Sequence, residues 1–226
     1  MRATAHDGAN SMADELGLPR SKAITTVKPS GTLSKCMSTT EGVHKPLGKY
    51  IFNNVNMSVH DPLVKMLQAS NYYTFPNPYD GTGVLVRLPV SYENVEFDEV
   101  QSPDGETLYV NLESAVDQLE RYKLLMQNYV DHNCSITVSY SPEEVPDIIN
   151  WLDENWDIYV GVSFIYRNDP TKTAADLGYP YLPQEVVTKS KFDEYTSTLL
   201  PVDFSNAGST LELTDDECAT GACPVR

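Results

Sequence analysis

Two short segments of this chain carry residue types and spacings that could do chemistry. The first reads KPSGTLS and runs from Lys28 to Ser34. Residues 23–28 resemble a strand and a helix is predicted to begin near Thr32, so several backbone N–H groups and the positive end of a helix dipole would face one direction. That arrangement favours an anion, typically a phosphate. The glycine and lysine spacing is not that of a Walker loop, and a purely structural turn is also compatible with the pattern.

The second segment is a cysteine pair at the end of the sequence, Cys218 and Cys223, with small residues and a glycine between them. Two cysteines five positions apart can close a small disulfide ring without a folded scaffold. If residues 201–218 behave as a flexible coil, the pair would reach about 20–25 Å. This suits a shuttle that exchanges disulfides between a buried site and an external reductant. The alternatives are an incidental thiol pair and half of a zinc site, although no histidine lies near the tail.

The composition limits the classes of partner. The formal net charge is −16, which argues against a nucleic-acid or anionic-membrane surface but allows a local basic pocket for a phosphorylated small molecule. No apolar run approaches the roughly 18 residues that would span a bilayer. The first 17 residues contain no apolar signal core, so a cytoplasmic protein is expected.

The elements that must position these segments follow from the hydrophobic periodicity and the turn residues. The sequence predicts a helix that Gly17 ends, a helix that begins at Asp61-Pro62, and a hairpin turn at SPDG (102–105). Other segments are predicted from periodicity alone. They are the strands 50–59 and 84–88, the helix 112–130 and a short helix around 191–199.

Residues 134–166 predict a strand, a helix and a second strand. CSITVSY (134–140) alternates, with Ser135, Thr137 and Ser139 on its polar face. A capping box is predicted from Ser141 and Glu144. The apolar YVGVSFIY (159–166) is typical of a parallel strand that is buried on both faces. The order indicates a right-handed βαβ unit and an α/β body. The helix between the strands should bury Val145, Ile148, Ile149, Leu152 and Trp156.

The remaining candidates are weaker. Cys134 lies on the apolar face of its strand and is predicted to be a small buried hydrophobe, and Cys36 has no assigned role. After Pro201 acidic residues dominate, so residues 203–226 are predicted to be a flexible acidic tail. The histidines show no metal-like spacing, so no metal site is predicted and packing or surface roles are expected for His6, His44, His60 and His132.

Several segments together resemble the ribonucleotide reductase catalytic chain. They are RATAHDGANSMADELGLPRSKAITTVKPSGTLSK, EGVHKP, NWDIYVGVSFIYR and the C-terminal CATGACPVR. The chain is most similar to the last third of the monomeric, adenosylcobalamin-dependent (class II), triphosphate-reducing branch. The resemblance implies that residues 1–202 are the C-terminal part of a ten-stranded α/β barrel and that residues 203–226 are a redox-active tail.

The resemblance also implies roles for individual residues. Cys218 and Cys223 would re-reduce an active-site disulfide and be regenerated by a thioredoxin-like partner. Adenosylcobalamin would pack against segments around 52–113 and 172–211. The phosphates of a ribonucleoside triphosphate would be held by the backbone and hydroxyl groups of Pro29, Ser30, Gly31, Thr32, Leu33 and Ser34.

The family's radical cysteine and its two reducing cysteines have no counterpart here and are expected upstream, so a partner that supplies the N-terminal reductase part is predicted. The chain alone is expected to be inactive. Two alternatives stay open. One is part of a class I large subunit that needs a radical-donating partner, and the other is a catalytically silent assembly module.

Overall fold

The structure is a computed structural model that describes residues 1–30 and 33–204. The helices are α1 Arg2–Glu15, α2 Leu33–Cys36, α3 Pro62–Ala69, α4 Ala115–Asn128, α5 Val145–Glu154 and α6 Lys189–Ser197. The strands are β1 Tyr50–Ser58, β2 Thr74–Pro76, β3 Gly83–Ser91, β4 Asp98–Gln101, β5 Thr107–Val110, β6 Thr137–Tyr140, β7 Ser163–Tyr166 and β8 Gln184–Val186. The predicted α/β class is confirmed.

The chain divides into two compact units that alternate along the sequence. Unit 1 comprises Met1–Pro46 and Asn111–Asp169, and unit 2 comprises Leu47–Val110 and the residues from Pro170 onward. Each unit is therefore built from two separate stretches of chain. The predicted boundary between a body (1–202) and a tail (203–226) stays a prediction, because residues 205–226 lie outside the described residues.

Unit 2 is organised around an antiparallel sheet in the order β2-β3-β1-β8. Helix α3 covers part of it, with Val64 and Leu67 packed against Val84 and Val86. The helix begins as predicted, because the Asp61 carboxylate accepts from the N–H of Leu63 at 2.9 Å. Strands β4 and β5 form the predicted hairpin across SPDG.

Unit 1 contains the predicted βαβ arrangement, with β6 and β7 parallel and α5 between them in sequence. Its core joins Leu119 and Tyr122 of α4 to Cys134, Val138 and the helix α5. The outer edge of β6 is covered by a side chain: the Gln118 amide donates to the Ser139 carbonyl at 2.9 Å and accepts from the Ser139 N–H at 3.0 Å. Gln118 thereby replaces a neighbouring strand at that position.

The capping box at the start of α5 is confirmed and has a further partner. Glu144 Oε2 accepts from the Ser141 N–H, and Glu144 Oε1 accepts from the N–H of Ala115 at the start of α4, each at 2.7 Å. Arg167, which follows β7, lies 3.2 Å from Glu144 Oε2. One carboxylate therefore connects the starts of α4 and α5 to the end of β7.

Helix α1 is held by a single buried carboxylate. Asp131 accepts from Arg2 Nε at 2.8 Å and contacts His6 Nε2 at 2.6 Å, and it also accepts from the N–H groups of Ile24 and Thr25 at 3.2 Å. Burial alone would raise the pKa of Asp131, but the bond from Arg2, the two backbone bonds and the bond from His6 together hold that pKa well below its usual value.

Three expectations were wrong. The segment 159–166 is not buried on both faces: its regular part is β7, where Phe164, Ile165 and Tyr166 are all exposed, because within the described residues only β6 pairs with β7. Residues 23–28 are extended but make only an isolated bridge, from Val27 to Cys134. On α5 the stripe is displaced. Ile148 is buried and Leu152 is partly buried against the core, as predicted, and Trp151, which was not predicted, is buried as well. Val145, Ile149 and Trp156, which follows the end of α5, are exposed.

Among the described residues, no helix combines the length and the apolar character that crossing a bilayer requires.

Candidate functional site

The predicted phosphate segment begins on the extended stretch of unit 1. The carbonyl of Val27 accepts from the N–H of Ser135 at 3.0 Å, which aligns this stretch with the residues that enter β6. Thr25 Oγ1 donates to the carbonyl of Tyr129 at 2.5 Å and fixes the same stretch to the end of α4. The segment is therefore attached to the unit 1 core immediately before Pro29.

The described part of the segment presents hydroxyl groups. The Ser34 N–H donates to Ser30 Oγ at 2.8 Å, so Ser30 caps the beginning of α2. Pro29 and Ser30 are exposed, and the Leu33 side chain is 69% exposed, so Leu33 could contribute only its backbone. Gly31 and Thr32, which are also candidate phosphate contacts, lie outside the described residues.

Ser34 is the most informative residue of the segment. It is only 7% exposed, and its Oγ has no hydrogen-bond partner within residues 1–30 and 33–204. A buried hydroxyl without a partner costs about 1–3 kcal/mol, so such groups usually meet a water or a ligand. This hydroxyl is one of the three that the sequence marked as phosphate donors.

An open cavity of about 350 Å³ lies beside the start of the segment. Its walls come from Pro29, from the Glu41–His44 turn, and from the residues that enter the two parallel strands. The hydroxyl face that the sequence predicted for 134–140 contributes two of its members. The lining residues are Pro29, His44, Asn133, Ser135, Ile136, Thr137, Gly161, Val162 and Ser163.

The electrostatics of this cavity differ from those of the whole chain. The net charge of the chain is −16, yet the described residues that line the cavity include no carboxylate. Lys28 Nζ donates to Ser135 Oγ at 2.8 Å, which places an ammonium group at the cavity wall. Neutral hydroxyl groups beside a cation are suited to an anion such as a phosphate.

The turn from Glu41 to His44 supports the segment from the adjoining side. Gly42 has φ +59°, and a Cβ built there would lie 3.1 Å from the Lys28 carbonyl oxygen. His44 Nε2 accepts from the Thr137 N–H at 2.9 Å, which leaves Nδ1 to donate to the Glu41 carbonyl at 2.9 Å. The packing role predicted for His44 is therefore confirmed. Its place in the cavity was not predicted, although it lies in the EGVHKP segment.

The cysteine predictions have different outcomes. Cys134 is fully buried and free, as expected, and burial raises the pKa of its thiol while nearby Lys28 lowers it. A buried thiol with a raised pKa is a poor nucleophile at neutral pH. Cys218 and Cys223 lie outside the described residues, so their role stays a prediction.

Aromatic side chains connect the two segments that were candidates for cobalamin contact. Tyr181, from the segment 172–211, has its ring centroid 6.1 Å from that of Phe75 and 6.0 Å from that of Tyr79, both in the segment 52–113. Tyr79 is 69% exposed and Tyr73, beside Phe75, is 52% exposed. Unit 2 thus carries a solvent-facing aromatic cluster. Within the described residues there is no group of three or more potential metal ligands.

The comparison with solved structures shows which fold the chain has. No family model matches the chain. The chain is similar in structure to the B12-dependent (class II) ribonucleotide reductase, with a TM-score of 0.70 and 20% identity, over 95% of this chain and 28% of that one. The fold is therefore that of part of a class II ribonucleotide reductase, and the complete ten-stranded barrel stays a prediction.

The sequence relatives make the assignment more specific. The probable adenosylcobalamin-dependent ribonucleoside-triphosphate reductase of Dictyostelium discoideum is 28% identical over an alignment of 213 positions that covers 93% of this chain. The adenosylcobalamin-dependent ribonucleoside-triphosphate reductase of Lacticaseibacillus paracasei is 25% identical over an alignment of 232 positions, gaps included, that covers 99% of this chain. The chain spans 26% and 29% of these two relatives. It is a homologue of the C-terminal part of the adenosylcobalamin-dependent ribonucleoside-triphosphate reductases, which confirms the resemblance drawn from its sequence.

Proposed function

We propose that this chain is part of a class II reductase that converts ribonucleoside triphosphates to 2′-deoxyribonucleotides. In this proposal it supplies the substrate-phosphate segment, part of the cobalamin site and the dithiol tail. The observation that carries the proposal is the position of the KPSGTLS segment, in a homologue of such reductases, beside a cavity with no carboxylate among the lining residues that the structure describes. The radical cysteine would come from the upstream part of the enzyme.

The phosphate role is supported by two properties of unit 1. The segment offers the hydroxyl groups of Ser30 and Ser34, and the Ser34 hydroxyl is buried without a partner in the described part of the chain. The side-chain hydroxyl groups of Ser135 and Thr137, two residues of the cavity lining, add polar groups beside the segment. Several neutral donors around one anion are the usual way in which proteins bind phosphate without a metal.

The cofactor role is supported by the aromatic cluster of unit 2. Adenosylcobalamin, when bound, would supply the radical chemistry, and aromatic side chains would offer surfaces for its ring system to pack against. Tyr73, Phe75, Tyr79 and Tyr181 offer such surfaces in both candidate segments. Exposed tyrosines can pack by their rings and donate a hydrogen bond by their hydroxyl groups. These four residues are the proposed contacts.

The partner is the upstream, N-terminal part of the reductase, and β7 is the proposed place of contact. Phe164, Ile165 and Tyr166 are 38%, 57% and 65% exposed, and within the described residues β7 has a neighbour on one side only. An apolar strand with a free edge is a typical surface for pairing with another strand. The upstream part would continue the sheet there.

The tail would transfer electrons by disulfide exchange. A thiolate of Cys218 or Cys223 attacks one sulfur of the active-site disulfide, which forms a mixed disulfide and frees one active-site thiol. The second tail cysteine then attacks the tail sulfur of the mixed disulfide and frees the other active-site thiol. The active site regains two thiols, the tail is oxidised to a disulfide, and two electrons have been transferred. A thioredoxin-like dithiol reduces the tail again. The acidic composition of the chain is consistent with a protein that binds neither nucleic acid nor membrane.

The first test is ribonucleotide reduction with adenosylcobalamin and a small dithiol, using this chain alone and mixed with its upstream complement. Activity only in the mixture supports the proposal. If the mixture assembles but turns over only when a radical-donating subunit replaces cobalamin, a class I enzyme is correct. If the assembled mixture is inactive in both cases, the chain is a silent assembly module.

The second test separates the tail from the rest. Cys218→Ser with Cys223→Ser should abolish thioredoxin-driven turnover and leave dithiothreitol-driven turnover within about twofold, because a small dithiol reaches the active-site disulfide directly. Equal loss with both reductants would contradict a shuttle role. The variant Ser205→Ala, at the start of the same tail, serves as a control for substitution there.

A further inference from the structure

Two lysines flank the phosphate segment, and their electrostatic environments differ. Lys35 Nζ lies 3.2 Å from Glu41 Oε1, and the two side chains are 17% and 24% exposed. The charge of Lys35 is therefore compensated by a half-buried carboxylate. Lys28 Nζ instead donates to the neutral Ser135 Oγ, and within the described residues no carboxylate oxygen lies within 4.0 Å of it. Lys28 is the cation at this site whose charge is free.

The backbone fixes where the Lys28 ammonium can reach. Val27 is joined to Cys134 by a parallel bridge, and Gly42 packs closely against the Lys28 carbonyl and the Pro29 nitrogen. The exposed side chain of Lys28 then extends to Ser135, which lines the cavity. A flexible lysine on a fixed backbone can exchange its bond to a hydroxyl for a bond to a bound anion at little cost in conformational entropy.

We infer that Lys28 is a substrate-binding residue whose ammonium group pairs with the polyphosphate of the nucleotide, and that Lys35 does not contribute charge to this site. The inference rests on the proposed function, because it assigns a cation to the proposed phosphate segment. The hydroxyl and backbone donors of the segment are neutral, so they do not compensate the charge of a triphosphate. Among the described lining residues of the cavity there is also no anion that would repel it.

The experiment measures the dissociation constant of CTP for the assembled reductase by equilibrium dialysis, at low and at high salt. Lys28→Gln should weaken binding about fivefold at low salt, since one ion pair near the surface contributes on the order of 1 kcal/mol. The loss should shrink at about 1 M salt, where exposed charges are screened. The neutral probe cytidine should bind equally well to both proteins.

Two matched controls address net charge and Lys35. Lys22→Gln removes the same charge from an exposed position of the same unit. The double variant Lys35→Gln with Glu41→Gln removes the compensated pair and leaves the local charge unchanged. Both should bind CTP within twofold of the parent protein.

Each other result decides against the inference. If Lys28→Gln binds CTP as tightly as the parent, Lys28 is not a substrate contact and the proposed function stands. If a control loses as much affinity as Lys28→Gln, the effect is one of general charge. If the parent protein itself does not bind CTP, the phosphate role fails together with the inference.

Discussion

The glycine at position 42 allows a test of how closely the Glu41–His44 turn packs against the phosphate segment. Three glycines of unit 1 differ in two properties. Gly8 lies within α1, and nothing lies within 4 Å of a Cβ built there. Gly17 has φ +62° and equally open surroundings. Gly42 has φ +59°, and its Cβ would lie 3.1 Å from the Lys28 carbonyl oxygen. Comparing alanine substitutions at the three glycines therefore separates the cost of a positive φ from the cost of a steric contact between Cβ and the neighbouring backbone.

The expected magnitudes follow from these properties. Gly8→Ala should stabilise unit 1 by about 0.5–1 kcal/mol, because alanine is preferred inside a helix. Gly17→Ala should destabilise it by about 1 kcal/mol, which is the cost of a left-handed conformation for a residue with a Cβ. Gly42→Ala carries the same cost and also forces the Lys28 backbone to move, so about 2–4 kcal/mol is expected.

Equilibrium unfolding in urea, followed by circular dichroism, measures these differences as shifts of the transition midpoint at constant slope. Because all three glycines belong to unit 1, their effects refer to the same cooperative structure. Equal destabilisation by Gly17→Ala and Gly42→Ala would refute the close packing. With the packing correct, Gly42→Ala should also weaken CTP binding, whereas Gly17→Ala should not.

Two further predictions concern the buried carboxylates of unit 1. The folded-state pKa of Asp131 is depressed, so its contribution to stability is complete above about pH 4 and is lost as the pH falls through the folded-state pKa. Asp131→Asn should therefore flatten the dependence of the unfolding free energy on pH between about pH 5 and pH 2, and a dependence as steep as that of the parent would contradict this role. Glu144→Ala should cost about 2–3 kcal/mol in urea unfolding, because it leaves the N–H groups of Ala115 and Ser141 without their acceptor and removes the ion pair with Arg167. A cost no larger than that of the exposed neighbour Glu143→Ala would contradict the connecting role.

The sequence predicted those elements whose signals are local. Asp61-Pro62 marks a helix start by side-chain capping and by a proline at the first helical position, and the helix begins there. SPDG forms a hairpin turn with Gly105 at φ +80°, a conformation that glycine adopts without strain. The capping box at Ser141 and Glu144 is equally local. Such signals do not depend on what packs against the element.

The errors concern burial, which depends on neighbours distant in sequence. The composition of residues 159–166 correctly indicated a parallel strand, but burial requires further layers of structure that the described residues do not provide around β7. On α5, Trp151 packs in the unit 1 core and its indole N–H donates to Glu120 of α4 at 2.6 Å, contacts with another helix that the periodicity of α5 cannot predict.

In the candidate site, too, the local segments could be predicted from the sequence, whereas the contacts between them could not. The KPSGTLS segment and the hydroxyl face of 134–140 were visible in the sequence, each by itself. That they lie beside one cavity depends on the bridge between Val27 and Cys134, which are 107 positions apart. The pairing of Lys35 with Glu41, which leaves Lys28 as the free cation, likewise required the structure.

The alternation of the two units along the chain has a consequence for how the protein folds. Residues 1–46 contact Asp131 and Cys134, so unit 1 can complete its packing only after those two residues have been synthesised. The stretch 47–110, which belongs to unit 2, leaves the ribosome before them. Pairs so distant in sequence make closure of unit 1 slow compared with formation of the local hairpin of β4 and β5. During synthesis the extended stretch before the phosphate segment is therefore unpaired for more than 100 residues of elongation. Because each unit consists of two separate stretches, a single cut in the chain cannot release either unit whole.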